Sequence, residues 1–116
     1  MTNIRYLKTD DELTMTFDGH ANSARKGQDI VCSAASILFY TLAESIRAQK
    51  KESFLREPEI KIKSGGASVT CAPAKEYYDA ISNVYEVVAT GAKLLAFNEP
   101  EYILFEEVDS PTSRAD

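Results

Sequence analysis

The stretch GHANSARKGQDIVCSAAS, residues 19–36, is where the chain changes its hydrophobic period. Just before it, LTMTF (13–17) alternates, with Leu13, Met15 and Phe17 on one face and Thr14 and Thr16 on the other. That is the pattern of a half-buried strand. Within and after the stretch, Ile30, Ala34, Leu38, Leu42 and Ile46 step by four, and Val31, Ala35 and Phe39 fill the adjoining row. That is the pattern of a helix over 29–48. The segment therefore connects a strand to a helix, with His20 closing the first and Cys32 opening the second. Asp29 stands immediately before the apolar periodicity, in the place of an N-cap, which makes Ile30, Val31 and Cys32 the first helical positions.

The rest of the fold reads outward from this junction. NIRYLK (3–8) alternates imperfectly and is joined to LTMTF by the turn-like TDDE (9–12), which gives a hairpin. The polar run RAQKKESFLREP (47–58) ends the helix. EIKIK (59–63), the turn SGG (64–66) and ASVTCA (67–72) read as a second hairpin. Pro73 suits the first position of a second helix, which the spacing of Tyr77, Ile81, Val84, Tyr85, Val88, Ala92 and Leu95 carries over 74–97. NEP (98–100) stops it, EYILFEEV (101–108) is a last strand, and DSPTSRAD (109–116) reads as a disordered tail. The order β-β-α-β-β-α-β predicts one α+β domain over 1–108, a mixed sheet with two helices. The apolar stripe of the first helix is wider than one surface can hide, which predicts contact with a second helix or a second subunit.

Composition bounds the function classes. With 116 residues, 44% hydrophobic and 27% charged, the chain suits one soluble globular domain. No apolar run approaches membrane-spanning length and no signal pattern follows Met1, so the expected location is cytoplasmic, with no membrane partner. A net charge of −5 argues against nonspecific nucleic-acid binding, which needs a basic footprint. Two cysteines make no disulfide framework. One histidine and two scattered cysteines fall short of a zinc site, and no glycine-rich phosphate loop follows a strand, so no metal or cofactor is expected.

His20 and Cys32 remain as candidates for chemistry. A thiol in the first turn of a helix faces unpaired N–H groups and the positive end of the helix dipole, both of which favour thiolate. At about 100° per residue Cys32 falls at the edge of the apolar stripe, and Ser36 lies one turn further along that edge. The loop ANSARKGQ (21–28) is small and polar, with Gly27 as a hinge, and can bring a strand end beside a helix start. A neutral imidazole near a thiol can take its proton and give a cysteine nucleophile. A lone helical cysteine is equally what a small buried hydrophobe looks like, and Cys71, inside a strand, reads as core. On spacing alone, packing and chemistry both stay open. So does a redox role for Cys32 with Cys71 as resolving thiol.

The run Gly19-His20-Ala21, then Gly27, Asp29-Ile30-Val31-Cys32, Ala34 and Ser36, closely resembles the signature of the ribosomal-processing cysteine proteases, the Prp family. GAKLLAFNEPEYILFEE (91–107) resembles that family's closing helix and strand, whereas Ser33 stands where the family has alanine. The resemblance implies a bacterial cysteine endopeptidase of α+β fold, a homodimer that removes an N-terminal extension from the large-subunit ribosomal protein L-twenty-seven. It implies His20 as general base and Cys32 as nucleophile, with Asp29, Ser36, Gly19 and Gly27 in support. A phage or prophage structural protein is an alternative substrate, and a non-catalytic dimeric assembly module an alternative role.

Overall fold

In the computed structural model, which describes residues 1–19 and 28–110, the first hairpin forms as its alternation predicts. Strands β1 (Thr2–Lys8) and β2 (Leu13–Asp18) pair antiparallel, with Ile4 opposite Phe17 and Tyr6 opposite Met15. Thr2, Ile4, Tyr6, Leu13, Met15 and Phe17 all turn to the buried face. Thr9 builds the turn between the strands. Its hydroxyl accepts the N–H of Asp11 at 3.2 Å and of Glu12 at 2.9 Å, while its own N–H donates to the Glu12 carbonyl at 3.0 Å. A threonine side chain thus replaces backbone partners that a tight turn leaves unpaired.

Helix α1 (Gln28–Arg47) is followed by β3 (Glu59–Lys63) and β4 (Gly66–Cys71), then by α2 (Tyr78–Asn98) and β5 (Ile103–Asp109). The order is the expected β-β-α-β-β-α-β. The five strands form one sheet in the order β3-β4-β2-β1-β5. It is mixed because β5 runs parallel to β1 while all other neighbours are antiparallel. β5 continues through Asp109, and the Ser110 N–H donates to the Lys8 carbonyl at 2.8 Å, so the sheet takes in two residues that read as tail. Residues 111–116 lie outside the described residues.

Both helices cover one face of the sheet. On α1 the core residues are Val31, Ala35, Phe39, Leu42, Ala43 and Ile46, whereas Ile30 is 73% exposed. The row stepping by four from Ile30 does not stay on one face. Each four-residue step overshoots a full turn by about 40°, so Ile30 and Ile46 end up about 160° apart. On α2, Ile81, Tyr85, Val88, Ala89 and Ala92 face inward. Tyr85 stacks on Tyr6 at 5.6 Å between ring centroids and donates its hydroxyl to the Val69 carbonyl, which pins α2 across β1 and β4. The helices touch through Leu38 and Gly91. A Cβ at Gly91 would stand 2.7 Å from Leu38 Cδ2, so the glycine sets how close they come. By length and composition alone Ile30–Arg47 could cross a membrane, against the expectation from sequence, but here one face of that helix completes the core. Pro73 does not start α2. It bridges to Phe54, and a short 3-10 turn over Lys75–Tyr77 leads into the helix at Tyr78.

Candidate active site

Helix α1 already includes Gln28 and Asp29, so Cys32 stands in its second turn and Asp29 inside it rather than at its cap. An N–H in the second turn is paired within the helix. The unpaired donors of this helix end therefore belong to the residues ahead of Val31, and Cys32 lies just behind them. Its side chain is half-buried, neither in the core nor free on the surface. It opens into a cleft of about 240 Å³.

Three elements build that cleft. Cys32, Ser36 and Tyr40 form one wall from α1, on the helix edge where the sequence places the thiol. Ile62, Gly65 and Ala67 form the opposite wall from the β3–β4 hairpin. Thr2, Phe17 and Gly19 close the floor. Phe17 meets Phe39 edge-on at 5.7 Å, so β2 and α1 are locked together directly beneath the thiol. Aromatic pairs of this geometry add about 0.5–1.5 kcal/mol beyond their buried area.

Gly19 ends β2 at φ +108°, a conformation that side chains rarely adopt, and a Cβ there would collide with the Met1 carbonyl. Its N–H donates to the Gly65 carbonyl at 2.8 Å. The residue that precedes His20 is thus tied to the hairpin turn on the far wall of the cleft. His20 and Gly27 themselves lie outside the described residues, as does loop 21–26. Of the residues singled out from sequence, the structure brings Cys32, Ser36 and Gly19 to one cleft. Thr2, Tyr40, Ile62 and Gly65 join them there, and sequence reasoning missed all four. Alternation in EIKIK flagged Ile62 as a face residue, but nothing local says which cleft that face borders.

Cys71 is different in every respect. It lies on β4 opposite Leu13, is 3% exposed, and burial pushes its thiol from an ordinary 9.0 up to about 11. Four residues of strand separate it from Ala67 at the cleft, about 13 Å at 3.3 Å per residue. Cys71 thus lies well along β4 from the cleft that Cys32 lines.

The comparisons with known proteins agree with this fold and with the motif. The sequence profile of a family described as Cysteine protease Prp matches residues 1–104. No curated protein sequence matches the chain. Among solved structures, SMU.848 from Streptococcus mutans superposes with a TM-score of 0.72 at 21% identity, over 95% of this chain and 96% of that one. The essential ribosomal processing protease Prp from S. aureus, in complex with a substrate peptide, superposes with a TM-score of 0.71 at 18% identity, over 92% and 99%. The same protease with a covalently linked product peptide gives 0.70 at 18% identity, with the same coverage. At such identities the superpositions speak for the fold, and the profile match over most of the chain speaks for kinship. The chain belongs to the Prp family of cysteine proteases.

Proposed function

We propose that this cysteine protease removes an N-terminal extension from a large-subunit ribosomal protein, the L-twenty-seven precursor, with Cys32 as nucleophile and His20 as general base. The observation that carries this reading is the half-buried Cys32 thiol on the wall of a cleft whose floor ends at Gly19, the residue before His20. The Cys32 thiolate attacks the scissile carbonyl and forms an acyl-enzyme. The imidazolium of His20 protonates the leaving amine, and water then releases the acyl group. N–H groups of the first turn of α1, ahead of Cys32, are the donors for the oxyanion, each worth roughly 3 kcal/mol of barrier. Ser36 lines the site one turn along, Gly19 supplies the backbone conformation, and Gly27 and Asp29 are supporting residues of the motif. The solved complex of the S. aureus protease with a substrate peptide supports a protein substrate. A ribosomal substrate in turn fits a cytoplasmic enzyme without direct nucleic-acid or membrane contact.

The test is incubation with the precursor protein and with candidate phage structural proteins, followed by N-terminal mapping. Cleavage at one site of the ribosomal precursor is expected, and its loss by at least about a thousandfold in both Cys32→Ala and His20→Ala. Turnover retained in both variants rejects the dyad, and cleavage of the phage protein alone rejects the ribosomal substrate.

The homodimer belongs to the same proposal. Ile30 and Ile37 on α1, and Val87 and Leu94 on α2, are 59–73% exposed and point away from the sheet, in i, i+7 pairs. They give the helix layer an outer apolar strip suited to a symmetric interface. Light scattering at tens of micromolar is expected to give twice the chain mass, and Ile37→Asp to return it to one. A monomer in the wild type rejects it.

A further inference from the structure

Helix α1 carries a second concavity at its other end. A pocket of about 610 Å³ lies between Ile46 and Arg47 of α1, Phe54 and Leu55 of the following segment, and Ile60 of β3. Both pockets are built on the same two elements in the same order. Cys32, Ser36, Tyr40 and Arg47 fall within about 80° of one another around the helix at about 100° per residue, so one helix face borders both. Ile62 in the cleft and Ile60 in the far pocket are alternate residues of β3 and share one face of the strand. β3 is the sheet edge. Its Ile62 is 63% exposed because no helix covers it, and at the far pocket Leu55 is 69% exposed. The two pockets thus lie one after the other along α1 and the helix-side face of β3, the course that a single trough would follow.

The length of the trough fixes what fits it. Cys32 to Arg47 spans about 22 Å of helix at 1.5 Å per residue. An extended peptide covers that in roughly six to seven residues. Arg47, Lys51 and Arg56 outnumber Glu57 around the far pocket, although Arg47 is paired with Glu44 and Arg56 with Glu12. Such a rim disfavours a basic segment and leaves the apolar residues beneath as the recognising surface.

We propose that the substrate lies extended along this trough, and that the far pocket takes an apolar side chain roughly six to seven residues from the scissile bond. The inference rests on the peptidase reading of Cys32 and adds a specificity-determining site, with Leu55 as its exposed contact. The experiment compares kcat/KM for two peptides spanning the precursor junction, one with about eight residues on each side of the cut and one with about three. The wild type is expected to favour the longer peptide roughly tenfold, through KM, the amount one buried apolar side chain supplies. Leu55→Asp is expected to bring that ratio close to one. Leu104→Asp, on the opposite face of the sheet, is expected to preserve it. An equal rate for both peptides in the wild type, or an unchanged ratio in Leu55→Asp, overturns the trough and leaves the peptidase standing. Cleavage of neither peptide overturns the peptidase reading and the trough together.

Discussion

Cys32 and Cys71 are the same residue in two environments, and the contrast assigns them. Cys32 sits on a helix wall, half-buried, facing a cleft. Cys71 is buried at the end of β4, opposite Leu13 of β2. Burial removes water from the thiolate, so the proton of Cys71 is held more tightly. Interaction with the Tyr85 hydroxyl offsets this only in part. Exposure of the two thiols follows location, and composition alone does not show it.

The sharpest way to break that contrast is selective alkylation. The shift of Cys71 lowers its thiolate fraction roughly a hundredfold at neutral pH, before exclusion of the reagent is counted. Iodoacetamide on the folded chain is expected to modify Cys32 and spare Cys71, as mapped by mass spectrometry of the digested protein. Equal labelling of both thiols in the folded chain contradicts the assignment.

A smaller effect separates the two sites by stability. Cys71→Ser puts a hydroxyl into an apolar site and is expected to cost about 1–3 kcal/mol in urea unfolding. Cys32→Ser, at the cleft, is expected to change the midpoint by less than about 0.5 kcal/mol. Equal losses in both variants would mean that the cleft thiol is structural.

The smallest effect is the alkaline dependence. Above its ordinary value of 9.0 the unfolded chain releases the Cys71 proton while the folded chain holds it up to about 11. Stability is therefore complete below pH 9 and falls between 9 and 11, by at most about 1.4 kcal/mol per pH unit. Burial raises the Tyr6 and Tyr85 hydroxyls as well, with the Glu86 carboxylate adding to the effect at Tyr6, and both extend the loss to higher pH. Cys71→Ala is expected to flatten the slope between pH 9 and 10. A slope equal to wild type assigns the loss to the tyrosines.

The sequence carried the element order and the inward residues of β1, β2 and α2, because alternation and helical spacing are local properties. LTMTF is the clearest case, with Leu13, Met15 and Phe17 all buried. Some readings failed for geometric reasons. Pro73 precedes the second helix without opening it, and the first helix began ahead of Asp29. EIKIK signalled a strand but not its place at an uncovered edge, which depends on where the helices lie. The thiol was legible from its motif and its place on the stripe. The wall facing it was not, because the Gly19–Gly65 hydrogen bond joins positions that share no local pattern.

The pairing of β1 with β5 has a consequence for how the molecule comes into being. Thr2 is in register with Ile103, and the β1–β5 pairs join residues at the greatest sequence separation in the sheet. During synthesis β1 can zip onto β2 early, but its other edge stays unpaired until β5 emerges. An open edge beside an apolar face is a site for wrong partners, and such long-range closure is slow. Thr2 belongs both to this edge and to the cleft beside Cys32, and its N–H donates to the Tyr102 carbonyl just ahead of β5 at 2.8 Å. A chain that stops short of β5 therefore leaves one residue of the cleft without its partner across the sheet.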